Sequence, residues 1–153
     1  MTKQDVLEFY QNMNQLGELK GVRFSYGIAK NLNILKPEIE ALQKALEPTK
    51  EYQEFDVKRI ELVKKYAKLD DKGEPITSRN EYILDDEKAF NKAFEVLKKE
   101  NKELVDKRDK QIDEYQELLK TESTIELYKI KLADIPETIT TQQMYGISLI
   151  VEE

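Results

Sequence analysis

Apolar residues recur at helical spacing in three stretches of this chain. Val6, Leu7, Phe9, Tyr10, Met13 and Leu16 predict a first helix over about 3–16. Thr2 followed by Asp5 resembles a capping box, and Gly17 and Gly21 punctuate the helix end. The cleanest pattern follows. Ile28, Leu32, Leu35, Ile39, Leu42 and Leu46 are spaced 4-3-4-3-4, a heptad seam that predicts a second helix over about 26–68. Pro37 lies off the seam and predicts a kink, and the pattern slips at Pro48, so a bend or short break is expected near 47–49. The stripe resumes with Tyr52, Phe55, Ile60, Val63 and Tyr66. A third helix over about 86–120 follows from Phe90, Phe94, Leu97, Leu104, Ile112, Tyr115 and Leu119, with Asp85 or Asp86 as its cap. Asn101 and Arg108 fall on that stripe as polar residues that would set register.

Between the second and third helices, residues 70–85 read DDKGEPITSRNEYILD, a chain reversal. Gly73 and Pro75 exclude a regular helix. Ile76 and the run Tyr82-Ile83-Leu84 predict two short strands around Ser78-Arg79-Asn80. After the third helix the period changes. Glu126, Tyr128, Ile130 and Leu132 alternate along a strand over about 125–132, ended by Pro136, and Thr141 caps a short helix over about 141–149. Residues 19–24 read as a short extended segment, with Ser25 as the cap of the helix that follows. That segment is the local partner for strand 125–132, whose other edge would stay open. The predicted fold is mainly α: an elongated, coiled-coil-like antiparallel helical hairpin with a small β-tip and a short C-terminal strand plus helix. One domain is expected over 1–153.

Composition narrows function mainly by removal. The chain has no Cys, His or Trp. Without His and Cys, Ser–His and Cys–His nucleophilic systems are excluded, and so are thiolate metal sites. Charged residues make up 37% against 39% hydrophobic, a balance that suits helices burying one stripe each. The net charge of −6 argues against broad nucleic-acid binding. No apolar run is long enough to span a membrane, and MTKQDVLEFY lacks the apolar core of a secretory signal.

Each cluster with chemical potential has a plainer reading. Asp70, Asp71 and Glu74 lack the ligand spacing of a calcium loop and read as a polar turn. Asp85, Asp86 and Glu87 read as acids favoured at a helix N-terminus. The lysines from Lys98 to Lys110 are interleaved with acids and read as a salt-bridged face. Paired carboxylates are abundant but unaccompanied by any motif, so no catalytic residue, metal site or cofactor is expected. The best interface candidates are Ile130 on the strand edge and Met144, Tyr145 and Ile147 on the short terminal element.

Several segments together resemble a known family. VRFSYGIAKNL leads into a long charged helix. The turn DDKGEPITSRNEYIL precedes EKAFNKAFEVL, and a strand YKIKLADI precedes a terminal helix with acidic residues after it. This layout resembles a family of small uncharacterised proteins from tailed phages of Gram-positive bacteria, a domain of unknown function. The resemblance implies a phage origin and a place in the host cytoplasm or the virion, and it brings no known catalytic residues to carry over. The expected function is non-enzymatic: a structural or assembly component acting through contacts with a phage or host protein, or with further copies of itself. The alternative is a phage-encoded inhibitor that blocks a nuclease or sensor of host defence.

Overall fold

A computed structural model describes all residues, 1–153. The chain is mainly helical with two small strand pairs. Where the sequence suggests one domain, there are two compact units: Met1–Leu46 with Glu114–Glu153, and Glu47–Asp113. No helix is long and apolar enough to cross a membrane.

The first unit begins with α1 (Lys3–Asn14), started by the Thr2–Asp5 capping box. Helix α2 (Val22–Leu46) opens earlier than its periodicity indicates. The stretch 19–24 is therefore not a strand. Gly21, at φ +149, takes a backbone conformation that side chains disfavour, and its carbonyl accepts the first helical bond from Ser25 N–H at 2.8 Å. Ser25 thus lies inside the first turn and caps nothing. The helix continues unbroken through Pro37. Pro37 cannot bond back to the carbonyl of Asn33, but Asn33 is exposed and water can satisfy it.

The first part of the α2 stripe finds its partners within the first unit. Ile28, Leu35 and Ile39 pack with Val6, Phe9 and Met13 of α1 and with Ile130, Ile147 and Ile150 from the end of the chain. Lys3 and Glu38 form an ion pair between α1 and α2. The start of the chain is tied down as well: Lys3 N–H donates to Thr121 O at 3.0 Å, and Met1 O accepts from Ser123 N–H at 2.9 Å.

In the second unit, α3 (Lys50–Tyr66) starts after a three-residue break containing Pro48, with Thr49 as N-cap. It runs antiparallel to α4 (Glu87–Glu100). Tyr66 meets Phe90 edge-on at 6.2 Å, and the Ala67–Leu84 bridge joins the helix ends. Between them β1 (Thr77–Ser78) and β2 (Glu81–Tyr82) form a hairpin. Its loop residues Arg79 and Asn80 both have positive φ, 51° and 66°, which a two-residue I′ turn requires.

The third predicted helix is two helices. Asn101 leaves helical geometry at φ −116, ψ 27, its side chain donates to Leu97 O at 2.8 Å, and α5 (Lys102–Lys120) begins after it. An asparagine amide competes with the backbone for the last carbonyls, so Asn101 interrupts the helix and does not act as a register residue.

The predicted strand 125–132 is also much shorter. Only β3 (Ile130–Lys131) pairs, and its partner is β4 (Val151–Glu152), in parallel register. The terminal helix α6 (Thr141–Gly146) is capped by Thr140, not Thr141, through a capping box with Gln143.

Candidate interaction surface

Tyr128 and Ile130 lie against α2, and α2 supplies the means to hold them. Gly27, Asn31 and Leu35 are four apart, so they form one ridge of the helix. Asn31 is fully buried. Its amide donates to Tyr128 O at 2.9 Å, and its carbonyl oxygen accepts from Tyr128 N–H at 2.8 Å. One side chain thus replaces the neighbouring strand that this backbone otherwise lacks. One turn earlier, Gly27 lets Ile130 press against the helix backbone. A Cβ at Gly27 would sit 2.6 Å from Ile130 Cγ1 and Cδ1.

This clamp fixes the outward side of the segment. The Tyr128 ring meets Tyr26 edge-on, with centroids 5.9 Å apart and planes at 89°. Lys30 Nζ lies 4.1 Å from the Tyr128 centroid, a cation–π contact. Beside them is a surface groove of about 420 Å³ whose lining includes Val22, Arg23, Tyr26, Tyr128 and Lys131. Val22 is 90% exposed and Tyr26 58% exposed. Arg23 reaches Asp134 at 3.3 Å, and Lys129 Nζ donates to Leu149 O at 2.6 Å.

A second cleft, of about 400 Å³, has Met1, Asp5, Glu8, Phe9, Tyr145 and Leu149 among its lining residues. Hydrogen bonds from the Thr2 backbone N–H and hydroxyl hold the Asp5 carboxyl below its usual pKa, so this wall is anionic. Gly146 approaches Asn12 closely enough that a Cβ there would lie 3.1 Å from the Asn12 side chain, which seats α6 on α1.

The four interface candidates separate by burial. Tyr145 is 82% exposed, and Met144 is half-buried. Ile130 and Ile147 are core residues, at 3% and 0% exposure, and project to no partner. Alternation alone could not show which face of the strand the helix would cover. The residues that sequence reasoning missed are Val22, Tyr26, Tyr128 and Asn31. The signal available for them was the Gly27–Asn31 spacing, a small residue and a polar one on an otherwise apolar ridge.

The acidic clusters act locally. Asp70 Oδ1 accepts from Lys72 and Glu74 N–H within its turn, and Asp86 caps α4 through Ala89 N–H. Among the lysines from 98 to 110, Lys98 pairs with Glu95, Lys102 with Asp106 and Lys107 with Glu103. The Lys107 bond lowers the Glu103 pKa and raises that of Lys107. No group of three or more acidic side chains is arranged to hold a metal ion.

No family model matches the chain, and no curated protein or solved structure is significantly similar to it.

Proposed function

We propose that this chain works by binding another protein, as a structural or assembly component, and performs no chemistry of its own. The observation that carries the reading is the set of exposed apolar and aromatic side chains on the first unit, led by Val22 and Tyr26 and including Leu132, Tyr145 and Leu149. Aromatic residues, arginine and aliphatic anchors beside a groove are the composition of protein-binding surfaces. A stiff backing helps such a surface, because little order is lost on binding, and the Asn31 clamp provides one here. A phage origin and a virion or assembly setting belong to the same proposal and rest on the resemblance of its segments alone. The inhibitor reading shares the same surface and differs only in the partner.

Photo-crosslinking tests this. A photoreactive residue in place of Val22 is compared with one in place of the exposed Lys44, in host cells during infection. A discrete adduct from position 22 to a virion protein supports the assembly role. An adduct to a host nuclease or sensor favours the inhibitor. Equal background from both positions would overturn the protein-binding reading.

A further inference from the structure

The two clefts of the first unit carry opposite charge. The first is walled by Arg23 and Lys131, with Lys30 beside it over Tyr128, and Arg23 engages Asp134, one of the two acids there. It also borders the start of α2, whose first turn contains no acid, so the positive end of the helix adds to the field. The second cleft has Asp5 and Glu8 in its wall against one cation, the Met1 ammonium, and it carries the most exposed tyrosine, Tyr145. The clefts are neighbours, because Lys129 from the lining of the first donates to the Leu149 carbonyl in the lining of the second.

We propose that the chain pairs with a second copy of itself through this face, the acidic Tyr145 cleft of each molecule docking on the basic groove of the other. A two-fold axis between neighbouring patches of opposite sign brings each onto its complement, and does so twice. Stacking groove on groove would gather Arg23, Lys129 and Lys131 of both copies with only Asp134 and Glu152 to offset them, which like-charge repulsion disfavours. Tyr145 would enter beside Tyr26 and Val22, burying the aromatic and the aliphatic surface that each molecule exposes alone. The inference rests on the protein-binding reading and names one partner for it.

The test is sedimentation velocity of the full chain across concentration and salt, with Lys131→Glu, Glu8→Lys, an equimolar mixture of the two, and Tyr145→Ala. The wild type is expected to dimerise, and more weakly as salt rises. Each reversal acts at both contacts and should weaken the dimer roughly tenfold or more. The mixture should restore it, because both contacts in the mixed dimer again join opposite charges. Loss through misfolding would not be rescued by mixing. Tyr145→Ala, at an exposed site, should weaken the dimer while circular dichroism and Tm stay unchanged. A wild type that stays monomeric at all concentrations overturns the proposal. So does a dimer indifferent to both reversals or to Tyr145→Ala, or one not rescued by mixing. Adducts from position 22 to other proteins would survive any of these outcomes, so the two readings fail separately.

Discussion

Asn31→Leu puts the central clamp to the test. Leucine keeps the branched skeleton of asparagine, with bulkier methyl groups, but neither of its polar groups. In the wild type the Asn31 amide satisfies both backbone groups of Tyr128, at 2.9 and 2.8 Å, from a fully buried position. In the variant Tyr128 N–H and C=O face hydrocarbon. Leaving each unpaired costs ~1–3 kcal/mol, so the expected loss is about 2–6 kcal/mol. That is a large share of the ~5–15 kcal/mol that holds a typical domain folded. The loss has a ceiling, since the segment around Tyr128 can lift from α2 and find water, at the cost of exposing apolar groups such as Ile125 and Leu127 that pack on the core. Urea unfolding followed by circular dichroism measures the first effect. Hydrogen exchange at the Tyr128 amide measures the second, and that amide should exchange far faster in the variant. Asn31→Asp sharpens the test. It keeps the acceptor for Tyr128 N–H but sets a carboxylate against Tyr128 O. Burial and that carbonyl raise its folded pKa above the unfolded value. Its stability should therefore be best below the unfolded carboxylate pKa and fall as pH rises through the folded value. If Asn31→Leu unfolds at the wild-type urea concentration with the Tyr128 amide equally protected, the clamp holds nothing.

Three further outcomes are expected. Gly27→Ala places a methyl 2.6 Å from Ile130; it should cost ~1–3 kcal/mol by urea unfolding, with part recovered in the double variant Gly27→Ala, Ile130→Val. Leu35→Ala removes a side chain of 0% exposure and should cost ~2–5 kcal/mol, whereas Lys44→Ala on the exposed side should stay within ~0.5 kcal/mol; equal melting temperatures would refute the α2 stripe. The Asp5 carboxyl has its pKa lowered by the Thr2 backbone and hydroxyl, so its contribution is present above the unfolded carboxylate pKa and is lost as pH falls through the folded value; Asp5→Asn should remove that part of the acid-side decline in stability, read from Tm against pH.

The parts legible in the sequence were those with a strong period. Ile28, Leu35, Ile39 and Leu42 announce a buried stripe, and all four are buried in α2. The slip at Pro48 falls in the gap between α2 and α3, and Arg79-Asn80 lies in the β-hairpin loop. What periodicity cannot carry is the identity of the surface opposite. Periodicity suits a facing helix of a hairpin equally well as α1 and a returning chain end, and Ile28, Leu35 and Ile39 pack with the latter two. The two asparagines illustrate the same limit. Asn101 sits on an apolar stripe and breaks its helix, while Asn31 sits on another and is consumed by a backbone nearly a hundred residues away. Nothing local tells them apart. The YKIKL alternation predicts a strand, but a strand needs a partner, and only two residues of it find one. For the interaction surface, Tyr145 was readable from its short element with little core of its own. Val22 was not, because its exposure depends on α2 beginning there, just after Gly21.

The first unit is made of two segments that synthesis separates. Val6, Phe9, Phe24, Ile28 and Leu35 leave the ribosome early, yet their packing partners Ile130, Ile147 and Ile150 emerge only after the whole of Glu47–Asp113 has been made. During translation the α1–α2 pair must therefore wait with its apolar side uncovered, a state prone to association with neighbouring chains. The intervening unit can fold meanwhile from local contacts, and Gln111 then donates to Glu47 O at 3.1 Å, fastening its own two ends together. That shortens the effective loop between the two segments of the first unit before the last strand arrives. A slow ribosome, or a truncation just after α5, should therefore leave the hairpin intact and the early half of the chain in the hands of chaperones.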